Sequence, residues 1–182
     1  MKLKHLETSL AKKSYQDIDH GLASLDSGDL MVLLDGRSIR VGDSAAELLI
    51  ARGETDLVID RLLSSTIRTK DGRLRATSVL RRFGKSIPRA VEAYLHLIND
   101  RSMDVVASAL FGLTFLLDIA NLPAIISARS KTQPGSSRRH LFDQAIKALR
   151  KQDPFIYSSG FGDSADVWKL DKNRFAHKIG FP

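Results

Sequence analysis

The sequence contains no cysteine. That absence excludes disulfides, thiolate metal sites and cysteine nucleophiles. No apolar run approaches the ~18 residues that a membrane span requires. The N-terminal stretch MKLKHLETSLAKKSYQD lacks the apolar core of a secretory signal, so a cytoplasmic location without a membrane partner is expected. Neither G-x-S-x-G nor H-E-x-x-H occurs, and an enzyme is not expected. What remains is the composition of a folded domain, with 43% apolar and 27% charged residues in a chain of 182. That length suits one ordinary domain.

Charge is uneven. Lys and Arg number 28 against 21 Asp and Glu, a net +7. Residues 1–60 carry 7 basic and 11 acidic groups, residues 61–90 carry 9 and 1, residues 91–127 carry 1 and 4, and residues 128–151 carry 7 and 1. Two basic blocks are thus separated by an apolar, slightly acidic one. Such blocks attract polyanions or an acidic protein face.

The middle of the chain repeats at a period near 30. Ala46, Ala76 and Val106 align, as do Leu49, Val79 and Ala109, and Ile50, Leu80 and Leu110. Within each segment these positions fall at i, i+3 and i+4, one face of a helix. A second helix follows each. One offers Val58, Ile59, Leu62 and Leu63; the next Ile87, Ala90, Val91, Tyr94, Leu95 and Ile98; the third Leu122, Ile125 and Ile126. Start signals recur. Ser44-Ala-Ala-Glu47 reads as a capping box, while Ser86-Ile-Pro88 and Asn121-Leu-Pro123 place a cap before a proline in the first turn.

Outside the repeats, Ser14 caps a helix carrying Ile18, Leu22 and Leu25. Residues 29–41 read as a short helix and a loop, with an Asp35-Gly36 hairpin as the alternative. A strongly amphipathic helix carries Phe142, Ala145, Ile146 and Leu149 and ends at Asp153-Pro154. The expected core is Leu49, Ile50, Val79, Leu80, Val91, Leu95, Val106, Leu110, Leu113 and Ile146. Residues 153–182 lack periodicity yet hold Phe155, Tyr157, Phe161, Trp168, Phe175 and Phe181. Rings that dense are expected to pack back on the helices.

The segments from Arg73 to Leu80 and from Ile87 to Leu95 resemble HEAT or armadillo-like repeats. Arg75 stands at the place of that family's ladder arginine, and the following repeat has valine there. The resemblance implies an all-α fold: a right-handed stack of about four antiparallel helix pairs over residues 1–152, followed by the irregular aromatic tail 153–182. It specifies an architecture and no chemistry.

Candidate chemical motifs are weak. Gly160-Phe-Gly162-Asp-Ser-Ala165 matches a dinucleotide fingerprint but has no βαβ unit around it, and reads as a turn. Gly84-Lys85-Ser86 lacks the earlier glycine of a phosphate loop, since Val79 stands there. Asp17/His20 and His96/Asp100 have helical spacing, but two ligands do not make a metal site. Asp43/Glu47 and Asp56/Asp60 read as solvated helix faces. No cofactor is expected.

The basic residues remain. In a stack of helix pairs the turns near 66–73, 99–104 and 129–139 align along one edge. Arg68, Lys70, Arg73, Arg101, Arg129, Lys131, Arg138 and Arg139 would form a ridge there. It either solubilises that edge or binds an acidic partner. Arg75, Arg81, Arg82, Lys85 and Arg89 make a second basic group. The expected function is non-enzymatic macromolecular binding, with an acidic protein as partner. By resemblance, compact HEAT-like proteins in bacteria include assembly factors and immunity proteins that neutralise a cognate toxin. Nucleic acid is the alternative partner. The DNA-glycosylase version of such folds uses groove tryptophans, whereas Trp168 lies outside the repeats here. A chromophore lyase is a third, fold-only reading.

Overall fold

The computed structural model describes residues 2–83, 87 and 89–158. Every regular element among them is a helix, as an apolar spacing of three and four dictates. No helix among them is long and apolar enough to cross a membrane. The chain divides into two compact units between Leu97 and Ile98.

The first unit holds α1 (Lys2–Leu10), α2 (Tyr15–Leu22), α3 (Ser27–Leu34), α4 (Ile39–Ala51), α5 (Thr55–Leu63), α6 (Lys70–Phe83) and α7 (Ala90–Leu97). The Ser14 hydroxyl accepts from the Asp17 amide at the start of α2 and donates to its carboxylate, which holds that carboxyl below its ordinary pKa. Packing follows the sequence repeat. Helix α4 lies against α6 and α5 against α7, while α4 meets α5 and α6 meets α7. The aligned Ala46, Leu49, Ala76, Val79 and Leu80 are buried. Ile50 is partly exposed, contrary to expectation.

Residues 29–41 form no hairpin; a short helix and a turn stand there, as preferred, and the loop is brief because the next helix starts earlier than expected. Helix α3 ends at Leu34, a tight turn follows, and α4 begins at Ile39 behind Ser38, whose hydroxyl accepts from the Val41 amide. Ser44 is therefore no cap. It lies inside α4 and is buried. Helix α7 presents Ala90, Ala93, Tyr94 and Leu97 to the core. Val91 and Leu95, expected there, are partly exposed. The physical reason is that Glu92 and His96 mark the exposed face of α7, and Val91 and Leu95 lie at the edges of the apolar stripe beside it. Ser86 and Pro88, with the rest of their start signal, lie outside the described residues.

The second unit holds α8 (Met103–Leu116), a 3-10 turn (Ile119–Asn121), α9 (Leu122–Ser130), α10 (Ser137–Lys151) and the short α11 (Phe155–Ser158). Helix α10 packs on α8, α9 and α11. Its start is capped by the Ser136 hydroxyl, and Gln152 ends it in the left-handed region at φ 53°. Val106, Ala109, Leu110, Leu113 and Ile146 are buried as expected. Asn121 precedes α9 without capping it through its side chain.

Of the tail, Tyr157 is buried, donates from its hydroxyl to the Ala107 carbonyl at 3.0 Å and stacks on Phe111. Phe155 is the opposite, 73% exposed. One helical turn places neighbouring rings on different sides, so density of aromatics alone does not bury each of them. Phe161, Trp168, Phe175, Phe181 and the Gly160–Ala165 motif lie outside the described residues.

Candidate functional site

The eight residues expected to form a ridge divide between the units. Arg68, Lys70 and Arg73 belong to the first; Arg101, Arg129, Lys131, Arg138 and Arg139 belong to the second. Arg68, Lys70, Arg101 and Lys131 are exposed. The other four are engaged within their own units. Arg73 is buried, and its Nη1 donates to the carbonyls of Ile67, Arg68 and Thr69. Arg138 donates to the carbonyls of Ile98 and Asp100, and Arg139 to that of Thr132. Arg129 pairs with Asp143.

The second basic group is equally committed. Arg75 is buried, with Nη1 donating to the carbonyls of Leu34 and Gly36 at 2.8 Å each, and its Nε lies 3.6 Å from Asp43. Arg82 pairs with the buried Glu47 at 3.2 Å. Arg89 bridges Asp56 and Asp60 of α5 and Glu92 of α7. Donating to the carboxylates of Asp60 and Asp56 raises its pKa above the ordinary value. Arg52, in neither basic block, donates to the carbonyls of Ala23 and Leu25. A recurring physical role emerges. The last carbonyls of a helix have no intrahelical donor; at Leu34, the last residue of α3, and at Ala23, which caps α2, the guanidinium groups of Arg75 and Arg52 supply one, and elsewhere guanidinium groups serve carbonyls of the connecting segments. The five donors and positive charge of a guanidinium suit that end of the helix dipole. Lys85 lies outside the described residues.

Four of the exposed cations meet at one groove of the first unit. A groove of about 900 Å³ opens between α1, α3, the turn at 35–38 and the segment from Arg61 to Thr69. Lys4, Arg37, Arg61 and Arg68 line it and all four are exposed. Their side chains make no ion pair among the described residues. Met31, Val32 and Ile67 give it an apolar floor, on which Val32 is 58% exposed. Two carboxylates also line the groove, but both are occupied by backbone donors. Glu7 Oε1 accepts from the Ser38 amide at 2.6 Å. Asp35 accepts from the amides of Arg68 and Thr69 and from the Thr69 hydroxyl.

These contacts fix the groove's frame. Asp35 and Arg73 hold the segment 67–69 from two sides; Glu7 and Arg75 hold the turn 34–38. Two glycines allow the close approach. A Cβ on Gly36 would lie 2.6 Å from Glu7 Oε1, and one on Gly72 would lie 2.4 Å from Asp35 Oδ1. Arg68 and Arg37 are therefore presented by loops that buried arginines and carboxylates hold in place.

Sequence reasoning found Arg68 and missed Lys4, Arg37 and Arg61. Arg61 stands on α5 away from Val58, Ile59 and Leu62, so its exposure was readable. Its meeting with α1 and the turn after α3 was not, because that is a property of packing. No cluster of three or more His, Asp or Glu side chains suited to a metal occurs among the described residues. His5, His20, His96 and His140 are exposed. No protein-family model matches the chain, and no curated protein or solved structure matches it either.

Proposed function

We propose that this chain is a non-enzymatic binding protein whose partner is another protein with an acidic surface. The observation that carries the reading is the sorting of its cations. Many of the arginines in the two basic blocks bind carbonyls or carboxylates of their own unit, while four unpaired cations converge on one groove with an apolar floor. A polyanion-binding surface needs its basic residues facing outward along a track, with aromatic rings between them for single strands. No ring lines this groove among the described residues. An apolar floor under a charged rim instead matches the anatomy of protein interfaces.

The stacking of α4 on α6 and of α5 on α7 supports a HEAT-like arrangement of helix pairs. Arg75 beside Asp43 and Arg82 beside Glu47 form two charged rungs between α4 and α6, in keeping with the ladder that the resemblance implies. A cytoplasmic immunity or assembly protein is the biological setting this favours. The test is affinity capture on the full chain from native lysate, with and without nuclease. The reading expects a protein retained after nuclease treatment. Retention of nucleic acid alone, or loss of every captured protein with nuclease, contradicts it.

A further inference from the structure

The groove of the first unit carries a more specific inference, which rests on the protein-binding reading above. We infer that it docks a short acidic segment of the partner, in which carboxylates flank an aliphatic side chain. The chemistry of the walls selects that occupant. Four cations against two carboxylates leave the lining net positive. Asp35 uses both oxygens for the amides and hydroxyl of Arg68 and Thr69, and Glu7 holds the Ser38 amide, so both carboxylates are tied to the frame. The guanidinium groups of Arg37, Arg61 and Arg68 favour planar, bidentate anions such as carboxylates. Between them, Val32 leaves more than half of its surface in water. Covering it rewards an apolar side chain and gains nothing from a phosphate.

The frame also fits a docking role. Arg68 and Arg37 sit on loops held by Asp35, Arg73, Glu7 and Arg75, so little ordering is left to occur on binding. Arg73 and Arg75 act as positioning residues, because they fix the backbone of those two loops and lie buried themselves.

The probe is a labelled synthetic peptide in which Leu is flanked by Glu on both sides, titrated onto the full chain. A second peptide replaces Leu with Ser, and short duplex DNA is the third probe. The first peptide should bind best. Arg61→Glu/Arg68→Glu should weaken it roughly tenfold or more, as should Val32→Asp. Arg101→Glu/Lys131→Glu, exposed positions on the second unit, should leave it unchanged. All these sites are exposed, so folding is preserved, and an unchanged circular dichroism spectrum confirms it. Absence of peptide binding, equal binding of the Ser peptide, or insensitivity to the groove variants overturns the inference. Capture of a nuclease-resistant protein partner that the Arg61→Glu/Arg68→Glu variant still retains overturns the groove alone and leaves the protein-binding reading standing. Preference for the duplex overturns both.

Discussion

Two arginines of this protein, Arg73 and Arg75, belong to its interior frame. A guanidinium can donate to two carbonyls at once and keep its charge when buried, which an ammonium does less well. Arg75 does so for Leu34 and Gly36, beside Asp43. Arg75→Lys keeps the charge and loses the planar Nη1 that serves both carbonyls, and chemical denaturation should report a loss of roughly 1–3 kcal/mol. Gly42 gives a sharper test. Helix propensity favours Gly→Ala by about 1 kcal/mol. Here the added Cβ would lie 2.7–2.8 Å from the Arg75 guanidinium, which its carbonyl partners hold in place. Gly42→Ala should therefore destabilise the protein, and a stabilised variant would contradict the clamp. Two tyrosines add a pH test. Burial pushes the Tyr94 and Tyr157 phenols above their ordinary value of 10.0. A raised folded pKa means that stability is complete below about 10 and falls as pH rises past it. Tyrosinate absorbance for these two rings should appear only with alkaline unfolding. Their ionisation near 10 in the folded protein would contradict their burial.

At the scale of elements, the helices owe their places to apolar spacing, and the loops to polar knots. Leu80 of α6 is fully buried, so Leu80→Ala should cost roughly 2–5 kcal/mol in denaturant unfolding. Val91→Ala should cost clearly less than Leu80→Ala, because Val91 is partly exposed on α7. The buried stripe of α10 was legible in Phe142, Ala145, Ile146 and Leu149, whereas its Ser136 cap came only with the structure. The start of α4 was not. Ser38 and Ser44 both precede plausible helices, and the choice fell to Ser38 because Val41 is wanted in the core. On α7 the polar pair Glu92 and His96 marked the solvent side, but the apolar stripe was too wide to tell its centre from its edges at Val91 and Leu95. The groove lies furthest from sequence reading. Lys4, Arg37, Arg61 and Arg68 come from separate elements, and the pattern of each says only that it is exposed.

For the whole molecule, a net charge of +7 suggests a polyanion binder until its arginines are followed to their partners. Arg73, Arg75, Arg82, Arg89, Arg129 and Arg138 are engaged internally, which leaves the two basic blocks with fewer groups for phosphates than the net charge suggests. Duplex DNA should bind weakly and fade steeply as salt rises through about 150 mM. Sub-micromolar binding at that salt would contradict the sorting of charge. Arg73 and Arg75 hold the loops of the groove from the interior, and the exposed Arg37, Arg61 and Arg68 line it. Arginine Nε–H signals followed by nuclear magnetic resonance during titration with the Glu-Leu-Glu peptide decide whether that division holds. Arg61 and Arg68 should shift while Arg73 and Arg75 stay still and exchange slowly with solvent. Equal shifts at Arg101 on the second unit, or rapid exchange at Arg73 and Arg75, would contradict that division.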